Sequence, residues 1–207
     1  MCIRYPLIFL LSKESNRTLS HQLTKILLSS GVHQDAMAKI AVIITDMFQD
    51  VEYKQPAEAF KKAGHEIIHV GLKAHVAVKG EHGSQVTIDK AVKDSSAKNY
   101  DALFIPGGYS PDKLRVDEHA LRFAQEFFTA NKPVFAICHA AQLLITAQLL
   151  KGRRVTGWKS IIQDIKNAGA EYVDAEVVVD GNLVSSRKPD DIPAFVREAL
   201  RLLEKKP

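Results

Sequence analysis

The stretch Ile40 to Thr45, IAVIIT, is an unbroken apolar, β-branched run closed by Asp46. It has no polar face to turn toward water, so it reads as a strand buried on both sides. Parallel sheets covered by helices bury their strands in this way. The residues that follow carry the same theme. Pro56, Ala59, Phe60 and Ala63 fall at helical spacing and stop at Gly64, a residue suited to a helix C-cap. Glu66 to Leu72 reads as a second strand, and Val76 to Ile88, with Gly80 and Gly83, as a small hairpin excursion. Asp101 to Ile105 is another buried strand, stopped by Pro106-Gly107-Gly108, and Leu121, Ala124, Phe127 and Phe128 form one helical face. Val134 to Ile137 is a strand followed at once by Cys138. An apolar helix is predicted from Ala140 to Leu150, a short strand around Val155, and a helix from about Lys159 to Asn167. EVVVDGNLVSSR carries an Asp-Gly or Gly-Asn hairpin turn. Asp191 to Glu204 places Ile192, Phe195, Val196, Ala199, Leu200 and Leu203 on one stripe. Strands alternating with helices predict one α/β domain with a mainly parallel sheet.

Residues 1–36 read differently. A short apolar run, Tyr5 to Leu11, leads into a Ser/Thr/Asn-rich stretch without the small-residue site that ends a signal peptide. Leu23, Ile26 and Leu27 sit at helical spacing. This segment is expected to be a poorly ordered extension of a domain spanning residues 37–207, since Met37 opens a natural first strand. Composition then narrows the class. The formal net charge of +4 comes with no run of Lys/Arg interleaved with aromatics, so nucleic acid is not implied. No stretch of about 18 apolar residues suits a membrane span. The two cysteines, Cys2 and Cys138, make no disulfide framework, so a reducing, cytoplasmic compartment is expected.

Ligands of open α/β sheets bind beyond the carboxyl ends of the strands. Three such ends carry unusual residues: Asp46 to Glu52, Pro106 to Asp112, and Cys138-His139. In PVFAICHAAQLL a strand turns directly into a helix, which resembles a nucleophile elbow. A helix N-terminus would favour the thiolate of Cys138; the alternative is a core cysteine packing as a small hydrophobe. Gly107 and Gly108 let backbone approach closely and can aim N–H groups at an oxyanion. Glu52 opens the helix after the first strand, either as a partner of the helix dipole or as a buried acid with a raised pKa. His65, His69, His75 and His82 have no cysteine or carboxylate at ligand spacing, so no metal site and no cofactor are expected. There is no G-x-S-x-G and no phosphate-binding glycine loop.

FAICHAAQLL, LFIPGGYSPDKLR, TDMFQDVEY and DAEVVVDGNLVSSRKPDDIPAF together resemble the PfpI/ThiJ superfamily, over about Lys39 to Leu203. That group includes PfpI-type intracellular proteases and the parkinsonism-associated deglycase, and this chain is most similar to its bacterial and archaeal general stress proteins. The resemblance implies a class I glutamine amidotransferase-like fold, a flavodoxin-like three-layer α/β/α sandwich. It implies Cys138 as nucleophile, His139 as its partner and Glu52 as the strand-end acid, with N–H groups of Gly108 and His139 as the oxyanion hole. It further implies that Asp112 reaches the histidine of a neighbouring subunit, in a homodimer or larger ring. Two departures stand out. Asp112 replaces the glutamate of some members, and Ala140 follows Cys-His where glycine is common, adding a methyl near the pocket. Trp158 falls where some relatives carry a smaller pocket residue.

Three functions fit these residues. One is covalent hydrolysis of reactive dicarbonyls, or of their adducts with amines and thiols, releasing lactate or glycolate. A second is a peptidase using Cys138, His139 and Asp112. A third is a non-enzymatic redox sensor or chaperone in which Cys138 is oxidised beside Glu52.

Overall fold

The computed structural model describes residues 37–204. The extension, its expected helix around Leu23 to Leu27, and Cys2 lie outside the described residues. The elements are β1 (Lys39–Ile43), α1 (Asp50–Lys62), β2 (Glu66–Gly71), the hairpin β3 (Ala77–Lys79) and β4 (Gln85–Thr87), then β5 (Lys90–Ala91) and β6 (Ala102–Ile105). There follow α2 (Ser110–Leu114), α3 (Glu118–Thr129), β7 (Val134–Ile137), α4 (Ala141–Thr146), β8 (Arg154–Val155) and α5 (Ile162–Asn167). The chain continues through β9 (Glu171–Tyr172), β10 (Val177–Asp180), β11 (Leu183–Ser186) and α6 (Ile192–Glu204).

Seven strands form one sheet in the order β10-β11-β7-β6-β1-β2-β5. Only the β10–β11 pair is antiparallel. The alternation of side chains along each strand divides the core in two. Ile40, Val42, Phe104, Phe135 and Ile137 face Phe60 of α1 and Phe195 and Ala199 of α6. Ala41, Ile43, Leu103, Ile105, Val134 and Ala136 face Phe123 and Phe127 of α3 and Leu143 and Leu144 of α4. Each fully buried phenylalanine or leucine contributes roughly 1.5–3 kcal/mol. The result is the three-layer α/β/α sandwich of the flavodoxin-like type. The chain leaves β1 for β2 on one side and later enters β6 on the other. The crevice at this reversal of strand order lies beyond the carboxyl ends of β1 and β6, with β7 next in line.

The first helix opens as the sequence placed it, at Asp50 with Glu52 in its first turn, and the Gln49 side chain accepts the Val51 N–H as an N-cap. Other local features differ from the sequence reading. The helix predicted to run to Leu150 is shorter. Cys138–Ala140 form a 3-10 turn and α4 ends at Thr146. Its end is a Schellman-type cap in which Gln148 takes the left-handed position at φ 59°, and the Leu149 N–H reaches the Leu144 carbonyl at 3.0 Å. That position usually carries glycine, so no stop signal stands there in the sequence. The strand at Val155 pairs with β9 and not with the main sheet.

Candidate active site

Cys138 leaves β7 at φ 61°, a left-handed conformation that non-glycine residues rarely adopt. The strain is characteristic of a residue that the surrounding fold fixes for a purpose. The elbow anticipated from sequence is therefore present. Its sulfur lies at the foot of the crevice, with the residue 7% exposed.

Glu52 comes from the opposite side. It stands in the first turn of α1, is fully buried, and neither carboxyl oxygen has a hydrogen bond of good geometry. The polar groups facing it are the Cys138 thiol and the Gly107 N–H. Burial pushes its carboxyl up from 4.5 to about 7; those two groups pull it down, and the Glu81 charge adds to the rise. Gly107 fixes the separation of acid and sulfur. A Cβ there would come 2.7 Å from the Cys138 Cβ and would strike the Glu52 carboxyl.

The thiol behaves differently from the sequence expectation of a thiolate held by a helix end. Burial pushes Cys138 up, and a charged Glu52 beside it pushes it further. The backbone N–H groups of His139 and Gly108 oppose this by donating toward the sulfur. The six-residue α4 is too short a dipole to offset desolvation. Below about pH 7 the pair is therefore thiol and carboxylic acid together, poised to exchange protons when a ligand arrives.

His139 sits on the open side. Its Nδ1 is 3.4 Å from the Cys138 sulfur and its Nε2 is 3.1 Å from the Ser160 hydroxyl. Burial lowers its pKa, while the charges of Glu81 and Asp112 act to raise it. Asp112, in the short α2, lies 3.8 Å from Arg115 and bonds the Tyr109 hydroxyl. Its charge thus reaches the histidine of its own chain, without a hydrogen bond to it. Gly108, at φ 78°, packs its backbone against residues 47–49 and pairs with Phe48. Trp158 flanks the site, its ring 6.4 Å from that of His139 and beneath the Lys159 ammonium.

Ala140 needs correction as a pocket residue. Its methyl is fully buried in the core layer shared with α3 and α4, so it does not narrow the crevice. His65 and His69 also lie in different surroundings. His65 precedes β2 and accepts the Ala38 N–H, whereas His69 is held by Tyr53 at 2.7 Å and Asp89 at 3.3 Å. Among the described residues no group of three or more His, Cys, Asp or Glu side chains could hold a metal. Two functional features escaped sequence reasoning. Ser160 is a lone serine with no motif around it. The Asp50 clamp on residues 80–84, which brings Glu81 to the rim, depends on backbone amides that no side-chain pattern advertises.

A strained cysteine elbow, a buried acid and converging amides at a sheet's switch point define a class of cysteine-centred α/β proteins. Residues 38–202 match the DJ-1/PfpI family, and the chain belongs to it. It is 55% identical over 167 residues to protein/nucleic acid deglycase 2 of Escherichia coli, covering 80% of this chain and 97% of that one. General stress protein 18 of Bacillus subtilis is 54% identical over 169 residues, covering 81% and 98%. YraA of the same organism, whose name proposes a cysteine protease, is 53% identical over 166 residues, covering 80% and 98%. Among the described residues no helix is long and apolar enough to cross a membrane.

Proposed function

We propose that the protein is a cysteine-dependent hydrolase or lyase acting on reactive dicarbonyls and on their adducts with amines and thiols, releasing lactate or glycolate. The observation that carries this reading is the sulfur of Cys138, 7% exposed and facing a buried acid. The relationship to a protein named as a deglycase supports the same chemistry.

The steps balance without an external oxidant. The sulfur adds to the aldehyde carbon of methylglyoxal; the S–C bond forms as the carbonyl π bond breaks. The thiol proton goes to Nδ1 of His139, and the new oxyanion takes a proton from Glu52. The amides of Gly108 and His139, which donate toward the sulfur, would stabilise that oxygen. The carboxylate of Glu52 then moves the C–H proton of the first carbon to the second while the hydroxyl proton of the first carbon passes to the ketone oxygen, so the aldehyde carbon is oxidised to a thioester and the ketone is reduced to a hydroxyl. Water breaks the C–S bond, lactate leaves and the sulfur regains its proton. With an amine or thiol adduct the former aldehyde carbon is already tetrahedral, so the S–C bond forms as the C–N or C–S bond of the adduct breaks, and the amine or thiol leaves with the proton given up by the Cys138 thiol. We take the protein to work in the cytoplasm, where such a thiol stays reduced, as a homodimer or larger homo-oligomer.

Incubation with methylglyoxal should yield lactate from the wild type and none above background from Cys138→Ser; equal yields from both would overturn the reading. The kinship with YraA and the charge of Asp112 near His139 favour peptide hydrolysis as the second reading. Cys138-dependent cleavage of a fluorogenic peptide, with no lactate formed, would replace the first reading with it.

A further inference from the structure

We propose that Ser160 is a positioning residue that anchors the ring of His139 at Nε2, so that Nδ1 faces the sulfur and can serve as its base. The proposal rests on the reading that Cys138 and His139 act together. The imidazole spans two partners, Cys138 at 3.4 Å on Nδ1 and Ser160 at 3.1 Å on Nε2. A neutral imidazole has one N–H, and a hydroxyl can donate or accept, so Ser160 holds the ring in place whichever nitrogen carries the proton. If Nδ1 is to take the sulfur's proton it must present a lone pair, so the ring proton must sit on Nε2. The Ser160 oxygen is there to accept it. After transfer both nitrogens carry protons, and Ser160 still serves as acceptor. The same contact therefore holds through both states of the ring. In the other tautomer an N–H would point at the thiol and no base would face it.

Ser160 is placed for this by the chain on either side of the elbow. The Trp158 N–H donates to the Cys138 carbonyl at 3.2 Å, and a Cβ on Gly157 would stand 3.2 Å from that same oxygen. The segment is thus drawn against the elbow. The turn Lys159–Ile161, closed by the Ile161 N–H on the Trp158 carbonyl at 3.1 Å, then carries the hydroxyl to the ring. Adjacent residues such as Cys138 and His139 do not align their side chains by backbone geometry alone, and the hydroxyl supplies the third fixed point. The charged groups facing the ring are Glu81 and Asp112, besides the Cys138–Glu52 pair. Both carboxylates favour the protonated ring by charge; neither takes the place of Ser160 at Nε2.

The test follows the alkylation rate of Cys138 by iodoacetamide across pH, resolved from Cys2 by peptide mass spectrometry, in the full chain. Wild type, Ser160→Ala and Ser160→Thr are compared, each with and without His139→Asn. Ser160→Ala should slow labelling near neutral pH roughly three- to tenfold, the scale of one lost hydrogen bond. Ser160→Thr should restore the rate, and neither change should matter once His139→Asn is present. A Ser160→Ala profile that superimposes on wild type would overturn the proposal, as would an equal loss in the His139→Asn background. Alkylation needs no substrate. Absence of lactate formation would therefore remove the proposed function while leaving this result to stand or fall by itself.

Discussion

Asp50 and Glu52 stand two residues apart in the first turn of α1, both buried, and they meet opposite fates. Asp50 accepts the His82 N–H at 2.8 Å and the Ser84 N–H at 2.7 Å. Burial acts to raise its carboxyl, but the Ser84 hydroxyl and these two amides prevail and hold it below the ordinary value. Glu52 has no such donors in good geometry and is pushed up to about 7. The helix dipole acts on both, so it does not decide the outcome. Donors do. One carboxylate is an ionised clamp for the hairpin loop, and its neighbour is a neutral acid reserved for the sulfur.

That contrast can be broken experimentally. Glu52→Gln keeps the shape and removes the titratable proton, so kcat/KM for lactate formation should fall by about 10²–10⁴, the usual worth of a general acid–base. The ionisation near 7 should vanish from the pH–rate profile. An unchanged profile would mean that the buried acid has no catalytic part.

The next effect is on stability. A carboxyl raised on folding stabilises the folded state fully below its unfolded value of 4.5, and that contribution is lost as pH rises through about 7. Urea unfolding of the wild type should therefore lose up to roughly 3 kcal/mol across this window, at about 1.36 kcal/mol per pKa unit. In Glu52→Gln that loss should be absent. Asp50 works in the reverse sense. Its contribution is present above 3.8 and is lost as pH falls through its lowered folded value. Asp50→Asn should cost about 1.5–3 kcal/mol at neutral pH, because hydrogen bonds to a charged acceptor are lost, with a smaller effect on kcat. Gly80→Ala should give the smallest loss, about 1–2 kcal/mol, since its Cβ would come 2.5 Å from the Asp50 carboxylate and must displace it. A Gly80→Ala protein as stable as wild type would show that the clamp contributes little.

Much of the fold was legible in the sequence because burial on both faces leaves a plain mark. IAVI, ALFI and VFAI are apolar throughout, and each lies in a central strand. The elbow was legible too, since an apolar strand ran without a turn signal into Cys138. What was hidden depends on packing or on backbone. The end of α4 fell on Gln148 in a conformation that sequence assigns to glycine. The state of the thiol was misjudged because desolvation follows from the walls around the sulfur, which local pattern does not contain. Ser160 is 21 residues from His139, and only the segment folding back onto the elbow brings the two together.

The gap that Gly107 keeps between the Glu52 acid and the Cys138 sulfur is narrower than a methyl group. Saturating that codon and selecting for survival under carbonyl challenge should return a single letter of the amino-acid alphabet. Drift in this lineage can rewrite the rim and the outer helices, but at residue 107 it has nowhere to go.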